Sequence, residues 1–297
     1  MLINVDMGKH AYLIMAHGNF SQLKQLLSLL DDKRNDLYLH IDSKAGYIDK
    51  NQFTNVVGES NLFFIKRRSV TWGGDSQIRL EMDLLECAVH KEQYDYIHLL
   101  SGVDFPIKSK KYIFDFFEKH KGTEFVMIDK LNANETAASR CNKHYVFQNK
   151  IGRKNKLFYK VIQQLVLWVE TWCGVNRLNA AELSTLRKGP NWFSITGDFA
   201  KYVVNHKGWI LHIFSHTLCA DEVFLQTLLW RSPFKKCLYI NDKLKYTNLR
   251  VTDWQRGNPY VWQNEDIEYL ISSPYLFARK FDTVKDNYIF NRIKSLN

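Results

Sequence analysis

The sequence has few prolines and no long apolar run. It contains 5 prolines among 297 residues, and 45% of the residues are apolar. No uninterrupted apolar stretch reaches roughly 18 residues, so we predict no membrane span. Residues 1–6 lack a basic start and a small-residue cleavage site, so we also predict no signal peptide. The chain is long enough for one large core or two small ones. Since no linker or repeat stands out, we predict a single domain over 1–297.

Cysteine is also scarce, and its spacing excludes a disulfide framework. The 5 cysteines are odd in number, widely spaced and without a C-x-x-C pair. They are Cys87, Cys141, Cys173, Cys219 and Cys237. This usage is typical of reduced, buried thiols. We therefore expect a cytoplasmic protein.

Several motifs that would point to other chemistries are missing. No Gly-Lys-Ser/Thr follows the glycine pair at 73–74, which excludes a phosphate-binding P-loop. A G-x-S-x-G nucleophile elbow is also absent. His212 and His216 lie four residues apart, but no third ligand stands at a recognisable spacing. We therefore predict no metal site.

The charge of the chain favours a polyanionic partner. The formal net charge is +10 at pH 7, which suits nucleic acid, an anionic membrane surface or phosphorylated substrates. The basic residues recur in short clusters at 66–68, 108–111 and 150–160. No helix-turn-helix, zinc-finger or RNA-binding signature accompanies them, so nucleic acid is not the partner we predict.

Short apolar runs alternate with helical patterns. The runs predict strands at 11–17, 37–42, 61–65, 94–100, 124–128, 191–195 and 237–240, with helices at 20–30 and 76–90 between them. Such alternation predicts an α/β fold with a mostly parallel sheet flanked by helices. Ligands of such sheets bind beyond the carboxyl ends of the strands. His17, Asp42 and Asp104 fall at those ends.

The segment 150–175 has two interpretations. Its apolar residues keep helical spacing from Phe158 to Trp172, after a start rich in Lys and Arg. A core helix with a solvated basic start is one interpretation. The other is a helix resting on an anionic bilayer, for which basic flanks and aromatic residues are typical.

Two short segments combine turn residues with charge. Asp221-Glu222 precedes an apolar stripe that begins at Val223, so its acids are either helix caps or carboxylates aimed into a cleft, where one could act as a general base. Trp72-Gly73-Gly74-Asp75 precedes the helix predicted at 76–90. It is either an anion-binding turn or a tight turn capped by Asp75.

Taken in order, segments spread over nearly the whole chain resemble the core-2/I-branching β-1,6-N-acetylglucosaminyltransferase family, which includes the peptide O-xylosyltransferases. The matching segments are Ala11–His17, His40-Ile41-Asp42-Ser43-Lys44, Val70–Gly74, Leu100–Lys108, Asn191-Trp192-Phe193, Asp221-Glu222 and Leu276–Asp282. The chain is most similar to short bacterial members that build surface polysaccharides.

The resemblance implies a GT-A-type nucleotide-sugar fold. It also implies inverting transfer of a sugar from a UDP-sugar to a hydroxyl of a glycan. A glycan carried on a lipid is one of the acceptors that we consider. Residues 1–130 would mainly bind the nucleotide, and 131–297 would mainly hold the acceptor and the catalytic group. The sequence has no Asp-x-Asp for a divalent cation, so we predict that no metal cofactor is needed. A peripheral position on the inner membrane face would suit the segment from Lys150 to Trp172.

The same resemblance assigns residues. Glu222 matches the family's catalytic base, and Asp42 matches the acid that contacts uridine. His17 and Trp72 lie in segments that border the nucleotide. Lys280 matches the residue that holds the diphosphate, and Trp254 matches an aromatic residue that stacks on the acceptor.

Other assignments are less direct. The second diphosphate ligand would be an arginine, for which Arg256 is nearest by spacing and Arg250 and Arg279 are alternatives. Asp104 is predicted to line the donor site, and Trp192 and Asp221 the substrate site. Two other function classes stay open from the sequence: a non-catalytic carbohydrate- or nucleotide-binding module, and a basic nucleic-acid-binding protein.

Overall fold

The computed structural model describes residues 8–129, 133–153, 156–241 and 245–296. Residues 1–6, on which the signal-peptide prediction rests, lie outside the described residues, as does Lys154 of the basic cluster at 150–160. The strands of the described part are β1 His10–Ala16, β2 Asn35–Ile41, β3 Asn61–Phe64, β4 Tyr96–Ser101, β5 Asp104–Pro106, β6 Phe125–Val126, β7 Phe193–Thr196, β8 Ile240–Asn241, β9 Lys245–Tyr246, β10 Arg250–Thr252 and β11 Phe277–Arg279.

Helices connect most of these strands. In chain order the described helices are α1 Phe20–Leu30, α2 Asn51–Thr54, α3 Ser76–Lys91, α4 Lys110–Lys119, α5 Ala133–Cys141, α6 Gln148–Ile151, α7 Leu157–Trp172, α8 Ala180–Thr185, α9 Gly197–Asn205, α10 Lys207–Phe214, α11 Phe224–Arg231, α12 Ile267–Ser272 and α13 Tyr288–Lys294. The helix predicted at 20–30 is confirmed, and the one predicted at 76–90 is confirmed with one further residue.

The central sheet of the described chain has six strands in the order β3-β2-β1-β4-β7-β6. β3, β2, β1 and β4 run parallel to one another, whereas β7 pairs antiparallel with both β4 and β6. A separate sheet joins β10, β11 and β5. The predicted α/β class with a mostly parallel sheet flanked by helices is confirmed.

Burial on both faces explains the continuous apolar strands. All seven residues of β2 are buried, as expected for a parallel strand covered on both sides. Leu13 packs in one apolar cluster with Ile78 and Phe224, while the next residue, Ile14, packs in the other with Leu26 and Ile289. This alternation follows from the two-residue period of a strand. Each cluster draws on both halves of the chain, and the single-domain organisation stays a prediction.

Three sequence expectations need correction. In the segment 237–240, where a strand is predicted, Cys237 ends a 3-10 turn, Leu238 forms an isolated bridge with Glu124, and only Ile240 belongs to a strand, β8. Asp75 does not cap α3; its carboxylate binds Arg79 and Asn149. The cysteines are unpaired as expected, but Cys87 and Cys173 are exposed rather than buried.

The core interpretation of the segment 150–175 is also wrong. Its helix, α7, exposes its apolar stripe instead of burying it. The buried residues of the helix are the polar Gln163 and Glu170. Both bind the loop before α6, since Gln163 Nε2 donates to His144 O at 2.8 Å and Glu170 Oε2 accepts from His144 N at 3.0 Å. α7 is therefore held to the protein by its polar face.

Candidate active site

The carboxyl ends of β1, β2 and β4 meet at one edge of the central sheet. Asp42 N donates to Ala16 O at 2.8 Å, which places the end of β2 against the end of β1. Gly102 N donates to Met15 O at 3.0 Å, which does the same for β4. His17, Asp42 and the turn leading to Asp104 therefore lie side by side, as the sequence predicts.

Asp42 ties this edge to the loop that precedes Trp72. Its carboxylate is buried and accepts from Lys44 N at 2.8 Å and from Val70 N at 3.2 Å. The ammonium of Lys44 lies 3.4 Å away. His17, beside it, is exposed. The acid thus shapes the loop, while the imidazole is open to a ligand.

The turn at Trp72 is held from both sides. Gln148 Nε2 donates to Trp72 O at 3.1 Å, and Cys219 N donates to Gly73 O at 2.9 Å. Gly73 has a φ of 73°, and a Cβ there would lie 3.0 Å from Gln148 Nε2, so glycine is required. The indole of Trp72 is about half exposed, with the guanidinium of Arg153 5.2 Å from its ring centroid.

Glu222 lies in a 3-10 turn, Ala220–Glu222, directly before α11. Its Oε2 accepts from Arg140 Nη1 at 2.8 Å, and Lys188 Nζ lies 3.6 Å away. Lys188 is shared with Asp129, at 3.0 Å. The side chain of Glu222 is 33% exposed, and no described residue bonds to its Oε1. The carboxylate is therefore fixed on one oxygen and free on the other.

Asp221, its neighbour, is not a helix cap. α11 begins at Phe224, and no side chain caps it. Asp221 is buried instead, and its Oδ2 accepts from Gln77 Nε2 at 2.7 Å while Oδ1 has no partner. Burial, and then the charge of Glu222, raises the pKa of Asp221 to about 7. Its predicted contact with substrate stays a prediction.

The segment 188–192 links Glu222 to the end of β11. Gly189 N donates to Glu222 O at 3.0 Å. A Cβ on Gly189 would lie 2.1 Å from Met127 O, so only glycine allows this close approach. Three residues later, Trp192 receives the guanidinium of Arg279 at 4.7 Å from its ring centroid. Glu222 and Arg279 thus border the same short stretch of chain.

Arg279 and Lys280 have different surroundings. Arg279 Nη1 lies 2.9 Å from Asp104 Oδ1, and Asp104 Oδ2 accepts from Ser101 N at 2.7 Å. Asp104 therefore orders the turn after β4 and neutralises Arg279. The half-buried Lys280, by contrast, has no hydrogen bond or ion pair to its ammonium from the described residues. Lys280 directly follows β11 and is thus a cation to which the described residues offer no paired acid.

The two remaining arginine candidates also differ. Arg256 is about half exposed, pairs with Asp253 at 2.6 Å and with Asp266 at 2.7 Å, and lies 4.0 Å from the centroid of the Tyr260 ring. Tyr260 O in turn accepts from Lys280 N at 3.4 Å. Trp254, beside Arg256 in the same turn, is 64% exposed.

Arg250 lies inside the protein. Its Nη2 donates to Phe193 O at 2.6 Å and its Nη1 to Ser194 Oγ at 2.9 Å. Burial lowers its pKa to about 9. Its donors serve to bridge the two sheets.

Sequence reasoning missed the partners of Glu222. Lys188 lies just before the matched segment 191–193, so extending that segment toward the N-terminus would have included it. Arg140 carries no such signal, because it lies in α5 among alanine and polar residues. Among the described residues, no group of three or more His, Cys, Asp or Glu side chains is placed to hold a metal ion. No described helix has both the length and the apolar content to cross a bilayer.

Comparison with known proteins defines the family. The model of the Core-2/I-Branching enzyme family matches residues 10–271. The chain belongs to this family. The curated relatives that match include xylosyltransferase 2 from Homo sapiens, 26% identical over 92% of this chain, and a xylosyltransferase from Ciona intestinalis, 22% identical over 95%. The chain spans about a third of their length, 32% and 33% respectively.

One solved structure matches this chain over most of its length. Mouse xyloside xylosyltransferase 1 in its apo form matches 91% of this chain and 96% of its own, at 10% identity and a TM-score of 0.37. The resemblance to the core-2/I-branching and xylosyltransferase group that the sequence motifs indicated is confirmed by the family match.

Proposed function

We propose that this family member is an inverting glycosyltransferase that moves a sugar from a UDP-sugar to a hydroxyl of a glycan. The observation that carries the proposal is the carboxylate of Glu222. Arg140 holds one of its oxygens at 2.8 Å, and no described residue bonds to the other. The carboxylate lies next to a strip of chain that also reaches Arg279. A base and cations at one edge of an α/β sheet suit transfer from an anionic donor.

Glu222 would act as the general base. Oε1 would accept the proton of the acceptor hydroxyl while that oxygen attacks the anomeric carbon, and the bond from that carbon to the diphosphate oxygen would break. A carboxylate held by Arg140 and Lys188 keeps one direction toward the acceptor. Such positioning lowers the entropic cost of reaching the transition state.

Lys280 would neutralise the leaving UDP. Its ammonium has no counter-charge among the described residues, and an anion would supply one. Arg256 is the arginine we propose beside it, since Tyr260 contacts both residues. Arg250 is buried, and it donates to main-chain carbonyls and a hydroxyl. Arg256 and Arg279 are both ion-paired, Arg256 with Asp253 and Asp266 and Arg279 with Asp104, but Arg256 is the more exposed of the two, at 47% against 24%. Preorganised cations stabilise the negative charge that develops on the diphosphate.

The donor site would lie between Asp42, His17 and Trp72. The exposed imidazole and the half-exposed indole flank the edge where the parallel strands end. The curated relatives are named xylosyltransferases, so UDP-xylose stands first among donors, followed by the UDP-N-acetylglucosamine that the resemblance suggested with a β-1,6 linkage. The acceptor that we propose is a bacterial surface glycan, including one carried on a lipid.

A UDP-release assay across a panel of UDP-sugars tests the proposal. We expect release with at least one donor, and release that continues in EDTA, since Lys280 and Arg256 would meet the charge of the diphosphate. Loss of activity in EDTA would contradict the metal-free mechanism. UDP binding without release from any donor would instead favour the non-catalytic binding module.

A further inference from the structure

The amphipathic helix α7, Leu157–Trp172, is inverted relative to the usual surface helix. A surface helix normally turns its apolar stripe toward the core and its polar face toward water. Here the buried residues are Gln163 and Glu170. The exposed large apolar residues of the helix have between 47% and 80% of their surface accessible, and they are Leu157, Phe158, Val161, Leu165, Trp168, Val169 and Trp172.

These seven side chains form one continuous stripe. At about 100° per residue, they fall within an arc of about 120° on the helix. No charged residue falls within that arc. The helix is about 24 Å long, so the stripe is a long, narrow apolar surface. Exposed apolar surface of this extent marks an interaction site rather than ordinary solvent-exposed protein.

The charge around the stripe favours an anionic partner. The segment 143–178 contains 7 Lys or Arg residues and one acid, Glu170. Two of the basic residues, Lys143 and Arg177, donate to main-chain carbonyls of the protein itself. Glu170 faces inward, where it binds His144. Lys150, Arg153 and Lys156, at the N-terminal end of the helix, are exposed. An apolar stripe with a basic border complements the headgroups and acyl boundary of an anionic bilayer.

The helix is also joined to the proposed donor site. Gln148 of α6 donates to Trp72 O, and the hydroxyl of Thr71 donates to Asn149 O at 3.1 Å. α6 is held in turn against α7, because Phe147 N donates to Gln163 Oε1 at 3.0 Å. A surface that holds α7 therefore fixes the orientation of the turn at Trp72.

We propose that α7 lies flat on an anionic lipid bilayer, with its apolar stripe in the interface and the basic residues before it on the headgroups. A second copy of this chain is the other occupant that the test distinguishes. The proposal does not depend on the reaction, since it concerns where the protein sits and not what it transfers.

Co-sedimentation of the 297-residue chain with lipid vesicles tests the proposal. With phosphatidylcholine vesicles containing about 30 mol% phosphatidylglycerol we expect binding at low salt that weakens as salt is raised. Phosphatidylcholine vesicles alone should bind much less. Absence of binding to the anionic vesicles would overturn the proposal.

Variants distinguish vesicle binding through the stripe from nonspecific adsorption of the protein. The double variant Trp168→Gln, Trp172→Gln should lower vesicle partitioning by about tenfold or more. Lys150→Gln and Lys156→Gln should each lower it by about fivefold on anionic vesicles. Val284→Gln with Tyr288→Gln is the matched control, because these residues are 85% and 76% exposed but lie outside the stripe.

Two further results would overturn the proposal. One is vesicle binding by the tryptophan double variant equal to that of the unaltered chain. The other is a stable dimer by light scattering that this variant dissociates, which would assign the stripe to a second copy. Circular dichroism checks that each variant is folded, and substitutions at exposed positions should leave the spectrum unchanged.

Discussion

Arg140 Nη1 lies 2.8 Å from Oε2 of Glu222, so α5 orients a carboxylate 82 residues further along the chain. Charge-assisted hydrogen bonds of this length are stronger than neutral ones. Both side chains are partly buried, at 23% and 33% exposed. The pair fixes which carboxylate oxygen is free, and the proposed base depends on that choice.

Replacing Arg140 should therefore impair turnover more than donor binding. For Arg140→Gln we expect kcat to fall about tenfold to a hundredfold, because the carboxylate loses its fixed direction, while the KM for the donor changes little. Arg140→Lys should recover part of the rate. The measurement is steady-state UDP release, and a loss confined to donor KM would show that Arg140 serves the donor instead.

Glu222→Gln should abolish most of the turnover and keep UDP binding. Removing a general base typically costs about 10²–10⁴ in rate, and glutamine keeps the size of the side chain. Glu265→Gln, at an exposed position far from Arg140 in the sequence, is the matched control and should be fully active. Full activity of the Glu222 variant would show that another group acts as the base.

Most of the fold could be predicted from the sequence, because buried parallel strands are continuous apolar runs. The runs at 11–17 and 37–42 became β1 and β2, within one or two residues at each end. The antiparallel direction of β7 could not be predicted, since strand direction is set by distant connections and not by local pattern. The segment 237–240 does not form one strand, because Cys237 belongs to a 3-10 turn and Leu238 pairs with Glu124 only in an isolated bridge.

The contacts around the candidate site were less predictable than the residues proposed for it. The motif match proposed Glu222, yet its partner Arg140 comes from a helix without a recognisable motif. For α7, too, the sequence pattern was recognisable but its surroundings were not. Periodicity identified its apolar stripe, but not whether the stripe faces core or surface, because that depends on Gln163 and Glu170 binding the loop at His144.

Lys280→Gln and Arg256→Gln should each weaken UDP binding. We expect the Kd for UDP to rise about tenfold for Lys280→Gln, because its ammonium would pair with the diphosphate in a partly desolvated site, and to rise less for the more exposed Arg256. Arg292→Gln is the control, since Arg292 is also half exposed and ion-paired, to Glu268. Isothermal titration with UDP measures all three. An unchanged Kd in the Arg256 variant would remove that arginine from the phosphate site.

Trp254→Ala should raise the KM for the acceptor and leave UDP affinity unchanged. Trp254 is exposed in a turn that Asp253 organises by accepting from Gln255 N at 2.8 Å. An indole presented in this way offers a stacking surface for a sugar ring. Loss of stacking typically costs about 1 kcal/mol, or roughly fivefold in KM. Tyr288→Ala serves as the control, and equal effects of the two changes would discount a specific contact.

Asp221→Asn should change how stability depends on pH. The pKa of Asp221 is raised to about 7 in the folded protein by burial and by Glu222, from an ordinary value of 3.8, although Arg140 opposes the shift. The pKa of nearby Glu81 is also raised, by burial first and then by Asp221. Between the ordinary pKa of Asp221, 3.8, and its folded-state pKa of about 7, the folded protein binds the proton more tightly than the unfolded chain does. As pH rises through this range Asp221 ionises, and the folded protein loses stability.

Asparagine removes that ionisation. The free energy of unfolding of the variant, relative to that of the unaltered protein, should therefore increase between pH 5 and pH 8 by an amount on the order of a few kcal/mol. The relative Tm of the variant should rise in the same direction. Thermal denaturation at the two pH values measures the difference. Glu265→Gln controls for loss of one negative charge and should show no such trend. A relative Tm that falls with pH would mean that Asp221 is stabilised as a carboxylate, through Gln77 and Arg140.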